Sequence, residues 1–285
     1  MKRPLLFINL CLAALTIFAQ GHADIRVSYE ATQPARNGKD MTTKMSLLAS
    51  AAGAKYFNET SQWADSLQST PDGKRKYYEI MRKSCIVEKP DGTQTIDLSK
   101  GPAKTVYTYV FVSPTEDILT HYDEFGEENC YYTEPLGEME WTMTEDSTAT
   151  VLGYECVMAE SDYHGRHWKA WFAPEIPLPF GPWKLHGLPG LILKAEANGG
   201  FSFMATGIEH TDTEISPMYF ADDYSKADRK KALENAEYFF NNMESIMSAE
   251  GGGKVTVYAV DDEGNRYELP PYDGRKHNLE PDYKK

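Results

Sequence analysis

The chain lacks most of what would mark it for a known chemistry. Cysteine is scarce, with four in 285 residues, and no two stand as CxxC, so a dithiol redox pair is excluded. The patterns GxSxG, HExxH and GxGxxG are absent, as are a phosphate-binding glycine loop ending in Lys-Ser or Lys-Thr and an EF-hand loop. Gly251-Gly-Gly-Lys runs into Val255 and reads as a loop. Cations are few: 29 Lys and Arg stand against 43 Asp and Glu, for a net charge of −14 and a pI near 5.0. No basic run offsets that excess, and such a chain repels the phosphates of nucleic acid. No apolar stretch approaches the ~20 residues of a membrane-crossing helix. Repeats, low-complexity tracts and linkers are missing too, which predicts one domain.

Aromatic residues, by contrast, are abundant: 18 Tyr, 12 Phe and 5 Trp make up 12% of the chain, enough apolar surface to exclude general disorder. Lys2 and Arg3 precede an apolar run from Leu5 to Ala19, and small residues follow at Ala19, Gly21 and Ala23. That three-part arrangement predicts a secretory signal peptide over residues 1–23, cleaved after Ala23 or Gly21. Cys11 lies inside the apolar run behind Ile8, Asn9 and Leu10, the wrong place for a lipid-modified cysteine. The expected protein is therefore exported to the periplasm or cell envelope without an anchor, and loss of Lys2 and Arg3 takes its charge to −16. Cys85, Cys130 and Cys156 remain, enough in an oxidising compartment for one disulfide and one thiol.

Most of the mature chain reads as strand. Ile25 to Tyr29 alternates apolar and polar, and Lys76–Met81, Val106–Val112, Cys130–Tyr132, Glu140–Met143, Tyr154–Ala159 and His167–Phe172 are rich in aromatic and β-branched residues. Pro71-Asp-Gly, Pro90-Asp-Gly, Ser113-Pro and Phe125-Gly supply turns between them. Val255–Val260 and Arg266–Leu269 flank Asp261–Asn265 as a hairpin. The expected fold is mainly β: a large antiparallel sheet, curved or partly closed. One helix breaks the pattern, over residues 225–249, with an apolar stripe at Leu233, Ala236, Phe240, Met243 and Met247. Ser225 with Asp228 resembles a capping box, and Gly251 to Gly253 stop it. The helix is expected to pack across the sheet, as a lid on the core or as the cover of a cavity. Residues 24–271 form the domain in this reading, and 272–285 an extended polar tail.

Candidate chemistry is thin. His164-Gly-Arg-His167 approaches a metal-ligand spacing, but residues three apart on a strand face opposite sides. The acid pairs Asp222-Asp223, Asp261-Asp262 and Glu127-Glu128 read as solvated turns, and Asn58-Glu-Thr60 is a glycosylation sequon by pattern alone. No catalytic residue, metal or cofactor is expected from these signals. Residues 168–193 differ in kind, with five prolines, three glycines and three of the five tryptophans in one rigid, apolar segment.

That segment contains Gly187-Leu-Pro-Gly-Leu-Ile192, and it is flanked by Gly153-Tyr-Glu-Cys156, Gly165-Arg166, Trp171-Phe-Ala-Pro-Glu-Ile-Pro177 and Gly181-Pro182-Trp183. Here the chain resembles the GLPGLI family of exported bacterial proteins, closely over residues 140–210 and in outline elsewhere. Its motif residues are Gly181, Pro182, Trp183, Gly187, Leu188, Pro189, Gly190, Leu191 and Ile192. The resemblance implies a β-rich envelope protein and carries no catalytic residue. It also places Cys156 in the family-like core and leaves Cys85 and Cys130 in the divergent region, where they are expected to pair. A loop of that length stabilises by roughly 3–4 kcal/mol. Two functions follow as expectations. One is a non-enzymatic binding protein for a small apolar or peptide-like ligand or an envelope partner, with Trp171, Trp183, His186 and Leu188 at the site. The other is a hydrolase that pairs Glu175 with His164 or His186.

Overall fold

A computed structural model describes residues 21–88, 94–96, 100–125, 128–251, 254–256, 259–260 and 266–284. The apolar run expected to act as a signal lies outside them, as do the hairpin turn at Asp261–Asn265, Pro90-Asp-Gly and Glu127 of the pair Glu127-Glu128.

Alternation builds the sheet. In β1 (Ile25–Pro34), Ile25, Val27 and Tyr29 point inward while Ser28 and Glu30 face solvent. In β11 (Arg166–Ala173), Arg166, Trp168, Ala170 and Phe172 are buried and His167 and Lys169 exposed. The other members are β2 (Asp40–Ser50), β3 (Gly53–Phe57), β6 (Tyr109–Ser113), β7 (Ile118–Phe125), β8 (Glu128–Pro135), β9 (Thr142–Val151), β10 (Tyr154–Tyr163), β12 (Leu191–Ala197), β13 (Phe201–His210) and β14 (Ser225–Lys226). They form one sheet in the order β14-β8-β7-β6-β3-β2-β1-β13-β12-β11-β10-β9. All pairings are antiparallel except β14 on β8. The sheet does not close, and β9 forms a polar edge whose register slips against Val157/Met158, a bulge of the kind that discourages pairing with another chain. Two small hairpins stand apart: β4 (Ile86–Glu88) with β5 (Gln94–Ile96), and β15 (Ala259–Val260) with β16 (Arg266–Tyr267).

The mainly-β expectation holds, with four α-helices among the described residues placed around the sheet. These are α1 (Glu59–Gln68), α2 (Pro71–Cys85), α3 (Arg229–Gly251) and α4 (Gly274–His277). Lys76–Met81 is not a strand but the middle of α2. Pro71 opens that helix, and the Thr70 hydroxyl caps it by accepting from Gly73 N. Asn58 caps α1 through Ser61 N, and its amide donates to Lys44 O at 2.8 Å, so the sequon amide is built into the fold.

The long helix begins at Arg229 rather than Ser225. Ser225 and Lys226 are spent as a strand against Cys130 and Tyr131, and the Asp228 carboxylate caps the helix through Lys231 N. Its Ala232, Leu233 and Ala236 are buried near β7 and β8, while Met247 is exposed.

Two further expectations are corrected. Among the described residues no disulfide joins Cys85, Cys130 and Cys156. Each is buried in a different place: Cys85 at the end of α2, Cys130 on β8 beside Tyr132 and Ala232, and Cys156 in the main core. Nor is the C-terminal stretch an extended polar tail. Residues 274–284 form α4 and a 3-10 turn over Pro281–Lys284, with Glu280 and Tyr283 only 2% and 4% exposed. At the other end, Gly21 to Asp24 are also knitted in: Ala23 N donates to Thr213 O, and Ile215 N to Gly21 O.

Side chains explain why the tail folds back. Buried Arg166 has no carboxylate partner among the described residues. It donates instead to the carbonyls of Asn278, Arg275 and Asn198 and stacks 4.1 Å over Phe201. Asn241 and Tyr272 exchange two hydrogen bonds, and Arg36 Nε holds Pro270 O at 2.7 Å.

Candidate functional site

The turn between β10 and β11 is the two-residue loop His164-Gly165, with φ +51° and +80°, the left-handed pair that a tight hairpin requires. It turns His164 inward. Across from it, Tyr132 and Glu134 alternate onto one face of β8. Trp183 takes the left-handed conformation, φ +55°, which is strained for a bulky residue. That twist sends Trp183 into the core and the next residue, Lys184, into a polar interior with no exposed surface. Arg229 opens α3, and Glu280 and Asp282 come from the folded C-terminus.

These groups form one buried charge network. Lys184 Nζ contacts Glu134, lies 2.7 Å from Glu280 Oε1 and 3.2 Å from the Tyr132 hydroxyl, and sits 4.5 Å over the Tyr132 ring. Arg229 reaches Glu280 and Asp282, each at 2.5 Å. His164 Nε2 is 2.9 Å from Glu134 Oε1, too oblique for a hydrogen bond but a close ion contact, and Nδ1 is 3.5 Å from Asp282 Oδ2. Three carboxylates thus face Lys184 and Arg229, and the imidazolium form of His164 completes the balance.

The titration of each group follows from that balance. Burial pulls the His164 pKa down, but Asp282 and Glu134 outweigh it and leave it above the ordinary imidazole value. Burial raises the acids; Lys184, then His164 and Arg229, overcome it and hold Glu280 far below the carboxylate range. His164 and Arg229 bring Asp282 to about 2. Ligand atoms of Glu134, His164 and Glu280 lie within 4.8 Å of one another, a metal-like grouping. Arg229 Nε, however, already lies 2.5 Å from Glu280 Oε2 and 3.4 Å from Glu134 Oε1, where such an ion would sit.

Beside the network an open cleft of about 440 Å³ is lined by Glu234, Glu237, Asp273, Arg275, Tyr283 and Lys284. Glu237 ties the two walls together: it accepts from the Tyr283 hydroxyl at 2.9 Å and pairs with Lys284. The charged core and the cleft therefore share one element, the folded segment 273–284.

A further buried basic side chain lies away from this network. Lys55 is fully buried among the rings of Phe57, Tyr109 and Phe111, 5.1–5.6 Å away, and donates to the Ser216 carbonyl and hydroxyl, both at 3.0 Å. Burial lowers its pKa to about 7, against the pull of Asp65 and Glu59. Folded Lys55 thus loses its proton near pH 7 and unfolded lysine near 10.4, so it makes stability rise with pH between those values. Lys55→Met is expected to flatten that rise in denaturation midpoints measured from pH 7 to 10.

The anticipated binding residues do not gather at the cleft. Trp183, His186 and Leu188 are 3%, 5% and 1% exposed. Trp183 stacks on Trp168 at 5.6 Å, and the His186 ring bridges the carbonyls of Lys184 and Leu136 at 2.7 and 2.8 Å. Trp171 is partly exposed beneath Lys194. Glu175 lies exposed in a turn, whereas His164 faces Glu134 and Asp282, so the expected acid–histidine pair is not assembled. His164 and His167 diverge, the latter onto Asp162 at the surface. Of the network residues only His164 was singled out from the sequence; its partners lie at 132–134, 184, 229 and 280–282, separations no local motif reveals.

Among the described residues no helix is long and apolar enough to cross a membrane. No family model and no curated protein matches the chain. Among solved structures it is similar to PNGF-II in two crystal forms, each at 14% identity, with TM-scores of 0.47 and 0.46. Each match covers 74% of this chain and 32% of that one, so the chain spans about a third of PNGF-II's length. It is also similar to a putative outer membrane lipoprotein-sorting protein domain from Vibrio parahaemolyticus, at 9% identity and TM-score 0.23, covering 70% and 89% of the two chains. These likenesses are too distant to carry a functional argument.

Proposed function

We propose that this chain is a non-catalytic binding protein of the bacterial cell envelope, a member of the GLPGLI family, and that its ligand is peptide-like rather than apolar. The cleft beside the C-terminal segment carries the reading. It offers Glu234 and Asp273 to an amino group and the exposed Arg275 to a carboxylate, around a tyrosine edge, on a scaffold held rigid by the charges behind it. An apolar ligand would leave those charges unpaired. The N-terminal signal-like segment and the Gly187–Ile192 motif support the exported placement.

Calorimetric titration with short unblocked peptides tests it. Binding is expected to weaken roughly tenfold or more in Arg275→Glu, the scale of a lost charge-assisted contact. Uptake of a fatty acid or an aromatic dye with no response to peptides would contradict the reading.

A further inference from the structure

The hairpin of α1 and α2 is a positive island on an acidic protein. Its acids are Glu59, Asp65, Asp72 and Glu79, and each is engaged. Glu59 lies 3.8 Å from Arg26, Asp65 binds Lys104 at 2.9 Å, Asp72 binds Arg75 at 2.5 Å and Glu79 binds Lys83 at 2.6 Å. Lys74, Lys76 and Arg82 have no ion-pair partner among the described residues, and all three are exposed. The uncommitted charges of this hairpin are therefore all positive, although the whole chain carries −14.

Aromatic residues sit at the same level. Lys74, Tyr78 and Arg82 are spaced four apart and form one ridge of α2. Tyr78 is 57% exposed, Trp63 of α1 is 36% exposed, and the Tyr77 ring lies 5.9 Å from each of theirs. Cations ranked beside rings with an apolar body and a polar tip match the boundary between lipid headgroups and acyl chains. An anionic polymer would satisfy the charges and leave Trp63 and Tyr78 in water.

We propose that the α1–α2 hairpin is a docking surface for an anionic phospholipid bilayer, on which the protein lies without crossing it. Near such a surface each cation is worth about a factor of five in partitioning, so Lys74 and Arg82, which flank Tyr78 on the ridge, give on the order of twenty- to thirtyfold, a reversible attachment, while Lys76 on the far side of α2 adds only to the local potential. The excess of negative charge elsewhere orients the molecule with this face down. The surface is far in sequence from the cleft residues and does not depend on what the cleft binds.

Flotation with vesicles of mixed phosphatidylglycerol and phosphatidylcholine, and of phosphatidylcholine alone, tests the proposal. The protein is expected to bind the anionic vesicles only and to leave them at ~0.5 M salt, where surface charges are screened. Its tryptophan emission should shift to the blue on binding, a shift lost in Trp63→Phe. The variant Lys74→Glu, Arg82→Glu, with unchanged melting, should bind at least about twentyfold more weakly, since each reversal both removes an attraction and adds a repulsion. Should that variant melt lower, the salt response and the Trp63→Phe emission decide in its place. Equal binding to neutral vesicles, binding to heparin but not to vesicles, no binding at all, or an unaffected charge-reversed variant would overturn it.

Discussion

Glu280→Ala is expected to destabilise the protein by about 3–5 kcal/mol, the cost of leaving buried cations without their counter-charge. Glu280 is 2% exposed and holds Lys184 at 2.7 Å, Arg229 at 2.5 Å and the Tyr132 hydroxyl at 3.0 Å. Lys184 cannot reach water to recover the loss, since none of its surface is exposed. Chemical denaturation of the variant measures this directly, and a change below about 1 kcal/mol would mean that the carboxylate is solvated or already uncharged. A companion Glu280→Ala, Lys184→Met variant should recover part of the loss, because removing both partners leaves no orphan charge.

The second large effect concerns Trp183. Truncation to alanine is expected to cost about 3–5 kcal/mol and to lower the melting temperature by roughly 6–20 °C. The indole is 3% exposed, stacked on Trp168 and edge-on to Tyr163 at 6.0 Å. Trp183→Gly should lose no more than Trp183→Ala, even though it removes one carbon more, because glycine relieves the left-handed backbone. If melting is hardly altered in either variant, the residue is not the core plug that its burial indicates.

The sheet was legible where local chemistry decides local structure. Period-two runs such as Ile25–Tyr29 and His167–Phe172 became strands because each has one face against the core and one against water. Lys76–Met81 was misread for the opposite reason. Two tyrosines and an isoleucine suit a strand, but Thr70 and Pro71 set a helix start, and Tyr77 is buried while Glu79, which would share its face on a strand, is exposed. The rigid, packed tryptophan segment was visible from its prolines and apolar residues; whether Trp183 plugs the core or edges a site was not, and its 3% exposure decides for the core. Gly190 shows how tight that packing is: a Cβ there would lie 2.3 Å from Ala173 O. The C-terminus was hidden more deeply. Its acids look solvated in sequence, and only the cations of β8's neighbours, Lys184 and Arg229, brought from 50 to 100 residues away, make their burial tolerable.

That segment is where the account is most exposed to test. The pH response has a definite sign. His164 gains affinity for its proton on folding, so its contribution is complete below the ordinary imidazole value of ~6.5 and is lost as pH rises through the higher folded value. Glu280 and Asp282 lose affinity for theirs, so their contribution is complete above the ordinary carboxylate range and is lost as pH falls through the folded values, about 2 for Asp282. Hydrogen exchange of the amides in residues 274–284, expressed as protection factors from pH 5 to 9, reads both the lock and its switch. Protection comparable to that of β11 near pH 5–6, declining as His164 deprotonates and without that decline in His164→Gln, is the predicted result. Protection near zero at every pH would contradict the claim that this segment is locked to the sheet by the buried charges.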